Sequence, residues 1–265
     1  MKYFVFGSNG MMGKYFCSCA EPDFLVALTR EDYDICSNDY DFLLKMLKEK
    51  GLKEGDVILN FAGAIKQRNF SLYDYVLLNS LFPHQLENIA QTVGCKLIHM
   101  TTDCVYDGER GMYSESDSHT CLDWYGKSKS LGEPENSCCI RTSIVGLGSA
   151  GNVSLLDWFM NEQTDTVFGF TNHLWNGVTC LELSKFILGL IETNSLWEGT
   201  RHVFSNSISK YELLKCFNEV FELGKPLGHR KSRISCDRTL CSEHVESWSL
   251  KDIEMQIEEL REFHE

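Results

Sequence analysis

Tyr125 and Lys129 stand four positions apart in the stretch Trp124-Tyr125-Gly126-Lys127-Ser128-Lys129. If that stretch is helical, one turn separates them and both side chains leave the same face. A phenol ordinarily loses its proton at a pKa of about 10. A fixed ammonium nearby favours the phenolate, so the phenol releases or regains a proton more readily. Carbonyl reduction needs such a group, because hydride reaches carbon while a poised acid protonates the oxygen. The same spacing arises by chance on many solvated helix faces. The pair acquires meaning only if the chain also holds a hydride donor.

The N-terminal stretch offers a seat for one. A short apolar strand, Lys2 to Phe6, runs into Gly7-Ser8-Asn9-Gly10-Met11-Met12-Gly13, and a helix is predicted from Met11 to about Cys19. In this strand–turn–helix context Gly7 makes the tight turn, Gly10 lets a pyrophosphate approach the backbone, and Gly13 lets the helix pack closely on the strand. The helix start then presents N–H groups and its dipole to phosphates. The alternative is a glycine-rich loop with no ligand. A second strand, Phe24 to Leu28, ends in Thr29-Arg30, where such folds choose their dinucleotide. Arginine there receives the extra phosphate of NADP, whereas an acidic residue holds the ribose of NAD. Arg30 predicts NADP, although Glu31 and Asp32 follow directly and a shift of one residue reverses the choice.

The elements that position these residues alternate along the first part of the chain. Asp34-Ile35 leads into a helix from about Asn38 to Lys50, and a strand from Asp56 to Asn60 delivers the small-residue stretch Phe61-Ala62-Gly63. A long helical segment, Ser71 to Val93, carries Asn79 and is predicted to kink or break at Pro83. A strand from Lys96 to Met100 precedes Thr101-Thr102-Asp103-Cys104, and after the Tyr125 helix a strand from Cys138 to Arg141 ends in Thr142-Ser143. Such alternation predicts an α/β protein with a Rossmann-type, doubly wound parallel sheet over residues 1–145. Ligands sit beyond the C-terminal ends of its strands, where Gly7, Arg30, Asn60, Thr101, Thr102, Thr142 and Ser143 fall.

Residues 146–265 read as a smaller C-terminal substrate-binding lobe, with about 180–204 returning to the sheet. Helices are predicted near Asn152–Gln163, Leu181–Glu192, Lys210–Phe221 and Leu250–Phe263. Trp175 lies in a polar–aromatic loop and is either a core residue or a pocket wall.

Composition narrows the classes. At 265 residues the chain can bury a sizeable core. Lys+Arg 25 against Asp+Glu 38 gives a net charge of −13, which argues against a nucleic-acid or anionic-membrane surface. An anionic ligand must therefore be held by a few local cations and helix N-termini. The twelve cysteines are scattered without any C-x-x-C pair, so neither a metal site nor a disulfide framework is expected. No signal-peptide pattern and no membrane-spanning run is present, and the expected compartment is the cytoplasm.

Gly7-x-x-Gly10-x-x-Gly13, the Thr101-Thr102-Asp103 strand end and Tyr125-x-x-x-Lys129 together resemble the extended short-chain dehydrogenase/reductase family, in particular its dTDP-4-dehydrorhamnose reductase-like sugar-nucleotide branch. The resemblance covers nearly the whole chain, including Asn79-Ser80-Leu81-Phe82-Pro83-His84, Arg141-Thr142-Ser143 and Ile208-Ser209-Lys210-Tyr211. It implies that Tyr125 donates the proton, Lys129 tunes it and binds the nicotinamide ribose, and Thr102 bonds the substrate carbonyl. It also implies an NADPH seat made of Gly7, Asn9, Gly10, Met11, Met12, Gly13, Arg30, Asp34, Ile35, Phe61, Ala62, Gly63 and Asn79, together with Tyr125 and Lys129. Asn79 has a second reading as a helix-surface polar residue. Lys66, Thr102, Asp103, Cys104, Ile144 and Trp175 are the implied substrate contacts. Two positions depart from the branch: Cys104 replaces a tyrosine and Ile144 a tryptophan, both facing substrate.

Cys104 opens an alternative. Thr102-Asp103-Cys104-Val105-Tyr106 is similar to the Ser-Ser-Cys-Ile-Tyr stretch of GDP-fucose synthase, where a cysteine is an acid/base beside the sugar. A thiol can do this if a cation brings its pKa toward neutrality, with His173 or Lys66 as proton carrier across the ring. The other reading of Cys104 is a small packing residue. The expected function is NADPH-dependent reduction of the 4-keto group of a UDP- or dTDP-linked 4-keto-6-deoxyhexose, with a 2-acetamido form included. Bifunctional 3-epimerase/4-reductase chemistry through Cys104 is one alternative. A non-catalytic NADP-binding regulatory subunit is another. The expected partners are the nucleotide-sugar substrate and a second copy of the chain, and no metal is expected.

Overall fold

A computed structural model of the chain describes residues 1–148, 154–244 and 250–265. Its first element, β1 (Tyr3–Phe6), is buried at all four positions. A parallel strand covered on both faces has that pattern, since no side chain can point to water. Tyr3 and Val5 join one apolar core while Phe4 and Phe6 join the other, following the two-residue period of a strand. Around β1 lie β2 (Leu25–Leu28), β3 (Val57–Asn60), β4 (Lys96–Thr102) and β5 (Cys138–Thr142). A sixth strand, Gly199–His202, pairs with β5. The sheet runs Gly199–His202, β5, β4, β3, β1, β2, all parallel. The direction of winding reverses between β1 and β3, so the ligand crevice of an open α/β sheet belongs at their carboxyl ends.

The boundaries move by a residue or two for identifiable reasons. β2 starts at Leu25 instead of Phe24 because Pro22–Phe24 forms a 3-10 turn. Helix α2 (Tyr40–Glu49) starts after Asn38, which is left-handed at φ 53°, and after Asp39, whose Oδ1 accepts a hydrogen bond from Phe42 N at 3.0 Å. Leu43, Met46 and Leu47 share one face of α2 and bury it against the sheet. β4 and β5 run on to Thr102 and Thr142, so both threonines close regular strands.

The long helix departs further from expectation. It comprises α3 (Leu72–Tyr75), a π-helical stretch Val76–Leu81 and α4 (Phe82–Val93). The irregularity lies one turn before Pro83, which sits in the first turn of α4, where a missing N–H is tolerated. Two cores flank the sheet. One packs α2 and α4 on it; the other packs α1 (Met11–Cys19) and the helix Cys180–Glu192, and continues through Phe159, Leu213, Phe217 and Ile257.

The C-terminal helices span Leu155–Asn161, Lys210–Val220 and Ile253–His264; the predicted start of the first, at Asn152, lies outside the described residues. All twelve cysteines are free thiols. Among the described residues no helix is long and apolar enough to cross a membrane.

Candidate active site

The turn after β1 is bounded by glycines, and between them Ser8 Oγ donates to Leu28 O at 2.9 Å. Gly7 adopts φ 75°, and a Cβ there would lie 2.7 Å from Ala62 N, so both conformation and space demand glycine. Gly10 N donates to Gly7 O at 2.8 Å, closing the turn at the N-cap of α1. A Cβ on Gly13 would come within 2.2 Å of Gly7 O. The close packing at Gly13 is thus against the turn itself, not against the strand as the sequence suggested.

A cavity of about 440 Å³ opens over this turn, with Gly7, Asn9, Gly10, Arg30, Ala62 and Gly63 in its wall. Ile35 and Phe61 also face it. These residues come from the ends of β1, β2 and β3, on both sides of the winding reversal. Seven of the fifteen predicted cofactor residues, Met11, Met12, Gly13, Asp34, Asn79, Tyr125 and Lys129, are not in this wall. Met12 is buried in the core and Met11 packs on it, so these two can offer a ligand only their backbone N–H groups at the start of α1. Exposed Asp34 accepts from Cys36 N at 3.0 Å and caps the 3-10 turn Ile35–Ser37. Asn79 is treated below. Of the two acidic residues after Arg30, Glu31, the one-residue alternative, lines the cavity beside Arg30, whereas Asp32 pairs with Lys50 at 2.7 Å and accepts from Thr29 N at 2.8 Å, and these contacts hold its carboxyl below the usual range. Thr29, Tyr33, Arg68 and Leu78 also line the cavity and were not foreseen. Thr29 and Glu31 flank Arg30, but Arg68 lies in a loop without any periodic signal.

Helix α5 (Trp124–Leu131) begins at Asp123, whose two oxygens do separate jobs. Oδ1 accepts from Gly126 N at 2.9 Å and Oδ2 from Lys66 Nζ at 2.7 Å. The Lys66 ammonium consequently lies 5.4 Å from the centroid of the Tyr125 ring. Tyr125 is half-buried, with its phenol hydrogen-bonded to the Thr102 side chain. Burial raises its pKa, the nearby Cys104, Asp103 and Asp123 raise it further, and the Thr102 bond opposes them.

This corrects the expected lowering by Lys129. The buried ammonium of Lys129 donates to the Met100 carbonyl at 3.0 Å instead of to the phenol, and burial pulls its pKa down to about 8. Desolvation outweighs attraction here. The phenol therefore stays protonated through neutral pH, as a proton donor must.

Asn79 connects the two halves. It is fully buried in the π-helical stretch, accepts from Ala64 N at 2.8 Å, and donates to Ala64 O at 3.1 Å and Ser128 Oγ at 3.0 Å. It is not a helix-surface residue, and both of its amide hydrogens are committed, to Ala64 O and Ser128 Oγ. It ties the loop after β3 to α5 one residue before Lys129. A Cβ on Gly63 would lie 3.0 Å from Asn79 Oδ1 and 3.2 Å from Lys129 Nζ, so glycine there leaves the lysine beside the cavity wall.

The strand end beyond β4 carries Thr102, whose Oγ1 accepts from Cys104 N at 3.2 Å. Cys104 departs from the acid/base expectation. Burial and the adjacent Asp103 push its thiol up to about 12, outweighing Lys66 and Arg238. His173 is held elsewhere, with Nε2 3.2 Å from Ile234 O and its ring stacked on Phe170. Trp175 is 4% exposed in the core, its indole donating to Ser143 Oγ at 2.7 Å, so it packs instead of walling a pocket. Ile144 is partly buried against the same core. Two unforeseen cations stand near Asp103: Lys210, whose Nζ lies 4.6 Å above the Trp175 ring, and Arg238, which donates to Tyr106 O at 2.9 Å.

Behind α5 lies a buried network centred on Arg141, which is 2% exposed. All five of its N–H groups have acceptors. Nε and Nη2 bond the Glu133 carboxylate, Nη2 also bonds His119 Nε2 at 2.7 Å, and Nη1 bonds Tyr106 Oη at 2.6 Å and His202 Nε2 at 2.8 Å. Accepting at Nε2 fixes both histidines as neutral Nδ1–H tautomers, and their Nδ1 atoms reach Ser130 Oγ and Cys241 O. The network thereby holds α5, the 103–121 loop, the strand Gly199–His202 and the C-terminal segment in register.

Burial, followed by the Arg141 charge, lowers the His202 pKa from 6.5 to about 4. Between those values the unfolded chain binds the extra proton and the native chain does not, so stability rises with pH. The His202 contribution, on the order of 3 kcal/mol, is complete above about pH 6.5 and is lost as pH falls toward 4. Urea unfolding at pH 5 and 7 should show a smaller pH difference for His202→Gln than for wild type. Equal differences would remove His202 as the source.

A larger cavity, about 810 Å³, lies between the helices Lys210–Val220 and Ile253–His264. Its wall includes Glu212, Glu219, Glu254, Glu258 and Glu262 and none of the predicted site residues, and such a wall repels an anionic ligand.

The parallel sheet, glycine turn, Thr102 strand end and Tyr125–Lys129 helix together define an extended short-chain dehydrogenase/reductase scaffold. Residues 1–153 match the family described as RmlD substrate binding domain, and the chain belongs to that family. It is 28% identical over 163 residues to dTDP-4-dehydrorhamnose reductase of Mycobacterium tuberculosis, covering 56% of this chain and 51% of that protein. The match thus spans about half the length of the curated relatives. Among solved structures, the chain is similar to dTDP-4-dehydrorhamnose reductase of Bacillus anthracis in complex with NADP, with a TM-score of 0.84, 18% identity and coverage of 100% of this chain and 99% of that one. It is also similar to the NADP-bound GDP-mannoheptose C4 reductase of Campylobacter jejuni, with a TM-score of 0.77, 14% identity and coverage of 99% and 98%. At such identities the likeness is one of fold.

Proposed function

We propose that the protein is an NADPH-dependent reductase of the 4-keto group of a nucleotide-linked 4-keto-6-deoxyhexose, UDP- or dTDP-linked, acting in deoxysugar biosynthesis. The observation that carries this reading is the meeting, at one end of the sheet, of the Gly7–Gly10 cradle and the Thr102–Tyr125–Lys129 group across Gly63. The residues fit the cofactor. A turn bounded by Gly7 and Gly10 leaves backbone N–H groups at the start of α1, Arg30 supplies a cation for the extra phosphate, and Gly63 leaves Lys129 beside the cavity. The relatives named as 4-keto sugar-nucleotide reductases, two of them holding NADP, support the same reading.

When bound, the nicotinamide supplies hydride. Every other part of the reaction falls to the chain. The Thr102 hydroxyl and the Tyr125 phenol both aim at the substrate carbonyl oxygen, one orienting it and the other delivering the proton. The Lys129 ammonium holds the ribose and steadies the phenolate left behind, the charge it meets only after proton transfer. Cys104, with its raised pKa, stays a thiol beside the sugar and keeps water out. We read residues 1–145 as the cofactor-binding part and the lobe within 146–265 as the part that covers the sugar.

The test is NADPH oxidation, with product analysis, against enzymatically generated UDP-, dTDP- and GDP-linked 4-keto-6-deoxy sugars. Turnover is expected with a UDP- or dTDP-linked substrate. Repeated in deuterated water with NADP and no hydride source, the reaction should leave carbons flanking the ketone unlabelled. Tight NADPH binding without turnover of any sugar would overturn the reductase in favour of a regulatory subunit.

A further inference from the structure

We infer that Arg68 is a second phosphate-binding residue of the dinucleotide site and forms, with Arg30, a clamp on a phosphomonoester carried by the ribose at the adenosine end. The inference rests on the cofactor reading above and adds a residue to it. Arg30, Glu31 and Arg68 are the charged side chains in the cavity wall. The Arg30 and Glu31 side chains offset each other, so beyond the backbone N–H groups at the start of α1 a further cation is needed to draw a second phosphate into a chain of net charge −13. Arg68 makes the wall net positive.

Placement favours a clamp over two separate contacts. Arg30 follows β2 and Arg68 lies in the loop after β3, while β1 runs between those strands. β2 and β3 stand two strand spacings, roughly 10 Å, apart, and both arginines line the one cavity over the Gly7 turn between them. Leu28, Tyr33, Ile35 and Leu78 line the same cavity and give a flat ring an apolar surface, which identifies this end as the one for adenosine. Arginine offers planar paired donors suited to phosphate, where lysine offers a point charge.

The test is equilibrium binding of four probes, NADPH, NADH, adenosine 2′,5′-bisphosphate and AMP, to wild type, Arg30→Ala, Arg68→Ala and Arg68→Lys. Arg68 is exposed, so both of its variants should fold, which circular dichroism checks. Arg68→Ala should weaken NADPH and the bisphosphate by roughly ten- to a hundredfold while changing NADH and AMP little. Arg68→Lys should recover part of that loss. Equal weakening of all four probes would make Arg68 a partner of the adenine ring, and no weakening would remove it from the site; either result overturns the clamp. If those results came with an intact wild-type preference for NADPH that Arg30→Ala abolished, only the clamp would fail. Absence of binding by wild type to any probe would overturn the cofactor reading and the clamp together.

Discussion

Tyr125→Phe should lower turnover of the true substrate by roughly 10²–10⁴-fold, the usual worth of a positioned general acid, while leaving NADPH affinity nearly unchanged. Phenylalanine keeps the ring that packs 6.5 Å from Tyr75 and under Lys66, and removes only the hydroxyl bonded to Thr102. Lys129→Met should behave differently and damage both properties, because the ammonium that donates to Met100 O is also the proposed ribose contact. Fluorescence titration of NADPH and initial rates separate the two. Near-normal reduction by Tyr125→Phe would mean that another group donates the proton.

Arg141→Met should be the most damaging substitution away from the reacting groups, costing about 3–5 kcal/mol. Methionine fills similar volume but strands the Glu133 carboxylate, whose side chain is 9% exposed, with its counter-charge gone. His119 Nε2, His202 Nε2 and Tyr106 Oη lose a donor in the same step. Domains of ordinary stability hold about 5–15 kcal/mol in total, so the variant should unfold at a markedly lower urea midpoint. Adding Glu133→Gln should restore part of the loss, since the stranded charge is then gone, and a double-mutant cycle measures how much. A loss below about 1 kcal/mol, with no coupling to Glu133, would show that the network does not act as a unit.

What the sequence determined by itself was the periodic part of the protein and the ends of its strands. Runs such as Tyr3–Phe6 and Val57–Asn60 are apolar throughout because both faces of a parallel strand are covered, and that signal is local. Gly7, Arg30 and Thr102 were legible for the same reason: each follows or closes a strand, and the winding rule puts all such ends on one edge. Tyr125 and Lys129 were legible because a helix repeats nearly every four residues.

Tertiary structure decided whatever depends on neighbours from distant parts of the chain. Asn79 faces inward because a π-helical stretch replaces a regular turn, and nothing in Val76–Leu81 announces it. Cys104 lies in a matching motif, yet its proton affinity is set by desolvation and by Asp103, and these push the thiol away from neutrality. The Tyr125 pKa rises for a similar reason, with burial overriding the attraction that the four-residue spacing suggested. Trp175 became core because Ser143 meets its indole from 32 residues away. Arg68, Lys210 and Arg238 stand on irregular segments or at a helix start, and only the closing of the sheet and lobe brings them to the site. Spacing along a chain fixes which face a residue takes, whereas desolvation and charge depend on what the folded chain brings within a few ångströms of it.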